Sequence, residues 1–207
     1  NYVWVIPLNK KDDLVPELDK WVDEVESEPH YRKYGLKVQT LVSDQDSNLT
    51  SNLAKQWSRT RKIKLAFTSP MSSIGHGGCQ LGGAESTIMR IGDIARSMLC
   101  RSKLNNVTSF FERQMCIQYA AKHAACIINA LPSRGNRENK TPTEIVTSRL
   151  PKLELFRTWG STAWIINPAT KEKDDFGKFN ARARCCILIG QAFNSDSYIT
   201  YDPQDKT

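Results

Sequence analysis

The chain has 207 residues, enough for one domain of moderate size or two small ones. Hydrophobic residues make up 40% of it but form no run near the roughly 20 residues that a membrane-spanning helix needs. The apolar start of the chain lacks the basic flank and cleavage pattern of a signal peptide, so we expect an intracellular protein without a membrane partner. Because the chain opens on Asn in a strand-like pattern, we also expect a fragment of a longer protein.

The net charge of +7 is unevenly distributed along the chain. Residues 1–50 carry −4, residues 51–150 carry +10, and residues 151–207 carry +1. A basic middle segment suits a polyanionic partner, because each phosphate that a cation neutralises releases condensed counterions. The alternative is a basic surface that is simply solvated.

The cysteines do not predict a metal site. No two of them form a C-x-x-C pair, and the three histidines do not lie at zinc-finger spacing from them. Reduced, mostly buried thiols are the simplest interpretation for all six: Cys79, Cys100, Cys116, Cys126, Cys185 and Cys186.

The first third of the chain alternates between strand-like and helix-like patterns. Aromatic and β-branched residues predict a strand at residues 2–8, and apolar residues at helical spacing predict a helix at 10–28. A second predicted strand covers residues 36–42, a second helix 51–62, and a third strand 63–68.

The middle of the chain is predicted to be helical on either side of two loops. Residues 69–83 are rich in Gly and Ser and predict a mobile loop. Helices are predicted at residues 85–99 and 110–131, and a polar, basic loop follows at 132–142. Another helix is predicted to start near Pro142.

The pattern changes after residue 150. Short strands are predicted at residues 158–166, 185–190 and 198–201, separated by turns. We therefore predict an α/β core over residues 1–150, followed by a small β-barrel-like module over residues 151–207.

Two carboxylates lie where they could share a metal ion in such a core: Asp44 follows an apolar strand, and Glu85 starts the helix that follows the glycine-rich loop. Mg²⁺ prefers carboxylate oxygens, and two such ions about 4 Å apart promote phosphodiester chemistry. The alternative is structural, since Asp is common in turns and Glu is favoured in a first helical turn.

The residues around both carboxylates resemble segments of copia-type retrotransposon integrases. Leu41-Val-Ser-Asp44 with Gln45-Asp-Ser-Asn-Leu49 resembles the family's L-x-x-D-N-G-G-E-F, which holds the second catalytic Asp. Gly82-Gly-Ala-Glu85, followed by Ala95-Arg-Ser-Met-Leu99, is similar to the helix that carries the family's catalytic Glu.

The resemblance extends along nearly the whole chain in the family's order. Further segments resemble the family's strand and lysine beyond the first catalytic Asp, the helix and T-P-x-E that follow the catalytic Glu, and the SH3-like module behind the core. These segments are residues 2–8 with Lys11, residues 120–131, Lys140-Thr-Pro-Thr-Glu144, and residues 155–163, 181–190 and 198–203.

This resemblance implies an RNase H-like core, truncated at its N-terminus, followed by an SH3-like module. It also implies a metal triad of two Asp and one Glu that uses two Mg²⁺ ions, with Mn²⁺ as a substitute. Its substrates would be element cDNA ends and target DNA. A homo-oligomer found in nucleus and cytoplasm is expected.

The chain departs from the family pattern at its site. The first catalytic Asp would lie before residue 1, so the triad is incomplete here. Strict family spacing from Asp44 would put Gln80 at the acid position. Glu85 is preferred because Ala84 and the segment 95–99 keep its helix in register, and extra residues in the preceding loop cost little.

Other side chains have competing interpretations. Four cations along or just past the Glu85 helix are candidates for phosphate contacts: Arg90, Arg96, Arg101 and Lys103. The run Arg59, Arg61, Lys62 and Lys64 either serves the same groove or solvates a helix end. His76 could contact DNA or a metal, but it is expected to be a solvated loop residue, and Asp46 could substitute as a metal ligand, but it is expected to be a turn residue. The tryptophans could stack on bases, but they are expected in the core: Trp57, Trp159 and Trp164.

The predicted function is DNA integration by a metal-dependent polynucleotidyl transferase, with Asp44 and Glu85 as catalytic metal ligands. Strand transfer is expected to be impaired in this chain. The alternative is a non-catalytic remnant that binds nucleic acid or has a structural role. An unrelated metal-dependent nuclease is a third possibility, disfavoured by the ordered C-terminal matches.

Overall fold

The computed structural model describes residues 2–68, 79–102, 104, 109–133, 135–166, 183–192 and 196–203. It combines helices with two small sheets, which confirms the mixed α and β class. The chain forms two compact units: Asn1–Arg90 with Ile128–Pro151, and Ile91–Ile127 with Lys152–Thr207. The division into residues 1–150 and 151–207 stays a prediction.

The first unit begins with a 3₁₀ turn and two helices, of which the first is rich in acidic residues and the second contains none. A single 3₁₀ turn at Lys11–Asp13 leads into α1 (Leu14–Ser27), close to the predicted bounds. Helix α2 (Pro29–Tyr34) starts at a proline, whose missing N–H costs nothing in a first turn, and ends at Gly35 in the left-handed conformation.

A parallel β–α–β connection forms the centre of this unit. Strand β1 (Thr40–Ser43) leads through the short helix α3 (Ser47–Thr50) and α4 (Asn52–Arg61) to β2 (Lys64–Phe67). The two strands are paired from Thr40↔Lys64 to Ser43↔Phe67. The predicted strand at residues 36–42 began four residues before β1 and ended one residue before it, whereas β2 and α4 were predicted within one residue of their observed bounds.

Helix α4 packs on α1 through an apolar cluster and an ion-pair network. Val15, Val22, Ala54, Trp57 and Ile63 are buried together. Burial of each larger aliphatic side chain in this cluster, Val15, Val22 and Ile63, contributes about 1.5–3 kcal/mol to the stability of the unit.

The ion-pair network centres on Arg61. Its Nε donates to Asp19 Oδ1 at 2.6 Å, and its Nη1 and Nη2 donate to the two oxygens of Asp23 at 2.6 and 3.0 Å. Trp57 Nε1 donates to the same Asp19 oxygen at 2.7 Å. Arg61, and secondarily Trp57, hold the pKa of Asp19 below its ordinary value, while both aspartates raise the pKa of Arg61.

The predicted strand at residues 2–8 is wrong, because this segment belongs to neither sheet. Its backbone is instead held by a side chain. The buried Asn129 accepts from Val3 N at 2.9 Å and donates through Nδ2 to Val3 O at 2.7 Å. One amide side chain thus supplies both hydrogen bonds that a strand partner would have made.

The long helix α5 (Cys79–Arg101) begins earlier than predicted. The predicted loop at residues 69–83 is wrong from Cys79 onward, and residues 69–78 lie outside the described part of the chain. The backbone at Gly82 and Gly83 is helical, although each glycine costs about 1 kcal/mol relative to alanine. We have no physical account of why the helix extends through them.

Helices α6 (Phe110–Ala130) and α7 (Pro142–Thr147) confirm their predicted positions. The Thr141 hydroxyl accepts from Glu144 N at 3.1 Å and caps α7. Thr143 Oγ1 donates to Asn129 O at 2.9 Å, so Asn129 holds the start of α7 as well as the Val3 segment.

The second unit contains a three-stranded antiparallel sheet in the order β3-β4-β5. Its strands are β3 (Thr162–Ile166), β4 (Ala183–Gln191) and β5 (Tyr198–Tyr201), close to the three predictions. Residues 167–182 lie outside the described part of the chain. The core of this unit joins helix and sheet side chains: Ala95, Leu104, Cys116, Ala120, Trp159, Ile189 and Tyr201.

Gly160 allows the close approach that this core requires. Its φ of +79° lies in the left-handed region, and a Cβ placed there would overlap the Ser102 Cβ. The Gly160 N–H donates to Leu188 O at 2.7 Å, and the adjacent Trp159 Nε1 donates to Ile189 O at 2.6 Å. These two hydrogen bonds fix the turn at residues 159–160 to two adjacent residues of β4.

We predict that Gly160→Ala lowers the free energy of unfolding by at least about 1–3 kcal/mol, because the left-handed backbone is strained and the new methyl meets Ser102. Urea unfolding followed by circular dichroism measures the change. The control is Gly92→Ala in α5, where a Cβ meets nothing within 4 Å. We expect that control to stabilise the protein by about 0.5–1 kcal/mol. An unchanged unfolding midpoint in Gly160→Ala would contradict the assignment.

Candidate functional site

Asp44 lies at the carboxyl edge of the parallel strands. It follows the last residue of β1, where the Thr68 N–H donates to Ser43 O at 2.9 Å and closes the end of the sheet. The Asp44 residue is exposed, and no side-chain hydrogen bond or ion pair engages it among the described residues. In open α/β sheets, ligand sites lie beyond this edge.

Asp46 has a structural role, as the sequence predicted. It is the N-cap of α3, and its Oδ1 accepts from Asn48 N at 2.8 Å. A carboxylate at this position satisfies a backbone donor that would otherwise have no partner in the helix. Asp46 is therefore a poor substitute for Asp44 as a metal ligand.

Glu85 is exposed and lies inside α5, not at its start. The helix begins at Cys79, so Glu85 is beyond the first turn and the predicted position at the helix start is wrong. That correction removes the structural alternative in which the helix dipole favours Glu85, because the effect of the dipole fades within one turn. Gln80 lies in the first turn of α5, and its side chain is not among those that the structure describes.

The chemistry of Asp44 and Glu85 fits a hard divalent cation. Both residues are exposed, both belong to the first unit, and neither carboxylate is engaged in an ion pair among the described residues. Mg²⁺ typically takes one or two protein carboxylates and keeps several waters. In the described ranges, no three His, Cys, Asp or Glu side chains group closely enough to hold a metal ion.

The predicted phosphate-binding cations differ in availability. Arg90 and Arg101 are exposed on α5. Arg96 is exposed too, but its Nη1 donates to Asp93 at 2.8 Å within the same helix. Lys103 and His76 lie outside the described residues.

The three tryptophans expected in the core do not all lie there. Trp57 and Trp159 are buried, with 9% and 4% of their surfaces exposed. Trp164 is 70% exposed, so that prediction is wrong. Trp164 pairs with the exposed Cys185 of β4, and both side chains belong to the face of the sheet that is exposed among the described residues.

His123 is a buried titratable residue that sequence spacing did not single out. Only 5% of its surface is exposed, its ring centroid lies 6.0 Å from that of Phe156, and its Nδ1 has no hydrogen-bond partner among the described residues. Burial lowers the pKa of His123. The signal in the sequence was a histidine within an alanine-rich, mostly apolar helix, a pattern typical of a core position.

Comparison with known proteins leaves the family open. The chain matches no protein-family model and no curated protein. Among the helices of the described residues, none is both long and apolar enough to cross a membrane. The integrase resemblance therefore rests on the motifs quoted above.

We predict that His123 makes the stability of the protein fall as the pH falls below its unfolded pKa of about 6.5. Because the folded-state pKa is lower, the unfolded chain binds the proton first, so stability is complete above that value and declines toward the folded pKa. Urea unfolding between about pH 7.5 and 5.5 measures the slope. His123→Leu should flatten it.

The control for this experiment is Ile128→Val, which removes one methylene group from another buried position of α6 and changes no titratable group. The pH dependence of its stability should remain that of the unmodified protein. An unchanged slope in His123→Leu, with a normal two-state transition, would show that His123 does not control the pH dependence.

Proposed function

We propose that this chain is part of a metal-dependent polynucleotidyl transferase of the copia-type integrase kind, with an RNase H-like core and an SH3-like module. The carrying observation is the position of Asp44, an exposed carboxylate at the carboxyl edge of two parallel strands that forms no ion pair with any described residue. The β–α–β connection and the later helix with Glu85 are consistent with such a core.

In this proposal, Asp44 and Glu85 hold Mg²⁺, and exposed arginines of α5 contact the DNA backbone. The bound metal would supply Lewis-acid stabilisation of charge at the scissile phosphate. Asp44 contributes from a strand end, whose position the β1–β2 pairing fixes. Glu85 contributes from a helix interior, which restricts its backbone. Arg90 and Arg101 orient the substrate without selecting its sequence.

The second candidate is a non-catalytic nucleic-acid-binding chain from such an element. It is favoured by one observation: the described residues bring no third carboxylate, histidine or cysteine together with Asp44 and Glu85 into a metal-binding group. The two candidates differ in metal binding at these residues and agree in DNA binding.

We predict that the purified chain binds Mn²⁺, used as a spectroscopic substitute for Mg²⁺, and that Asp44→Asn and Glu85→Gln each weaken binding at least about tenfold. Electron paramagnetic resonance of free Mn²⁺ measures the dissociation constant. The control is Asp93→Asn, which neutralises another exposed carboxylate of α5. Equal Mn²⁺ affinity in all four proteins would reject the metal site and favour the second candidate.

We also predict that this chain alone joins no DNA ends in Mg²⁺, because two carboxylates provide an incomplete ligand set for the two-metal reaction. A labelled duplex that mimics an element end, incubated with target plasmid, reports joining on a gel. Robust Mg²⁺-dependent joining that Asp44→Asn abolishes would disprove the claim of incompleteness and establish the enzyme.

A further inference from the structure

The cations of α4 divide into two groups with different roles. Arg61 faces α1, where Asp19 and Asp23 neutralise it. Lys55, Arg59 and Lys62 are exposed, and none of them takes part in an ion pair among the described residues. The sequence run from Arg59 to Lys64 had suggested one undivided group.

Lys55 and Arg59 lie four residues apart in α4, the spacing of one helix face, and Lys62 is the C-cap that directly follows the helix. We call these three residues the α4 stripe. The buried side of α4 carries Ala54 and Trp57, so the stripe lies away from the core.

Lys62 ends α4. It is the C-cap of the helix, with a φ of 58° in the left-handed region, and its N–H donates to Arg59 O at 3.3 Å, so this backbone conformation terminates the helix. The Lys62 charge forms no ion pair in the described part of the chain, so the ammonium group is available to an external anion.

The surrounding charges set the direction from which a polyanion can approach. Helix α1, against which α4 packs, carries acidic residues and would repel phosphates. No acidic residue occurs from residue 51 to residue 84, and β2 opens with the exposed Lys64 next to the stripe. A phosphate backbone is therefore attracted along the stripe and excluded from the α1 side.

We propose that the α4 stripe is a binding surface for the phosphate backbone of duplex DNA, separate in its residues from Asp44, Glu85 and the arginines of α5. The choice of DNA over another polyanion rests on the proposed function. The stripe contacts backbone phosphates and reads no bases, since lysines and arginines on an exposed helix face bind phosphate as charges.

Salt dependence of DNA binding tests this proposal. The full chain is titrated against a fluorescein-labelled duplex of about 30 base pairs in EDTA, between about 50 and 200 mM KCl, with anisotropy as the readout. The test variant is Lys55→Gln/Arg59→Gln/Lys62→Gln. The matched control is Lys10→Gln/Lys11→Gln/Arg32→Gln, which also removes two exposed lysines and one exposed helix-terminal arginine.

Because each phosphate contact contributes about 0.9 to the slope of log Kobs against log salt, the stripe variant should lose about 2.7 from the slope. Raising KCl from about 50 to about 200 mM should therefore weaken DNA binding about 40-fold less in the stripe variant than in the unmodified chain. The control should keep the original slope. Equal losses in both triple variants, or none in the stripe variant, would overturn the proposal, as would binding of heparin without binding of DNA.

Lys62→Gly separates the proposed role from a structural one. Glycine relieves the left-handed backbone, so we expect a higher Tm together with a slope about 0.9 smaller in magnitude. A higher Tm with unchanged DNA binding would assign Lys62 no part in the surface. EDTA chelates divalent cations in every measurement, so the result for the α4 stripe does not depend on the proposed metal site or on catalysis.

Discussion

The parallel pairing of β1 with β2 is the constraint on which the first unit depends. Parallel strands need a crossover connection, and both faces of such a sheet require cover. Here α3 and α4 form the crossover, and α4 is fixed to α1 by the buried Trp57 and by Arg61 between Asp19 and Asp23. The same arrangement brings the strand ends to one edge and leaves Asp44 exposed there.

Much of this architecture could be predicted from periodicity, and the failures have physical reasons. Strand β5 and helix α4 were predicted to within a residue because turn residues and caps mark their ends. The segment at residues 2–8 has the composition of a strand, but composition does not say whether a ladder partner exists. Asn129 provides its hydrogen bonds instead, from more than a hundred residues away.

The candidate site was predictable in part for a related reason. A carboxylate after an apolar strand is visible in the sequence, and Asp44 lies where that pattern indicates. The sequence does not show whether the Asp46 carboxylate is free to bind a metal ion, since its hydrogen bond from Asn48 N depends on the local turn. Strand alternation likewise predicts two faces for Trp164 without telling which face the rest of the unit covers.

The central claim is that Asp44 and Glu85 share one metal ion, and the number of Mn²⁺ sites that each single variant retains tests it most directly. If both carboxylates bind the same ion, Asp44→Asn and Glu85→Gln each weaken the binding of that one Mn²⁺, and neither variant keeps a site of the original affinity. If the two carboxylates bind different ions, each single variant keeps one Mn²⁺ site at its original affinity, and that result would contradict a shared metal site.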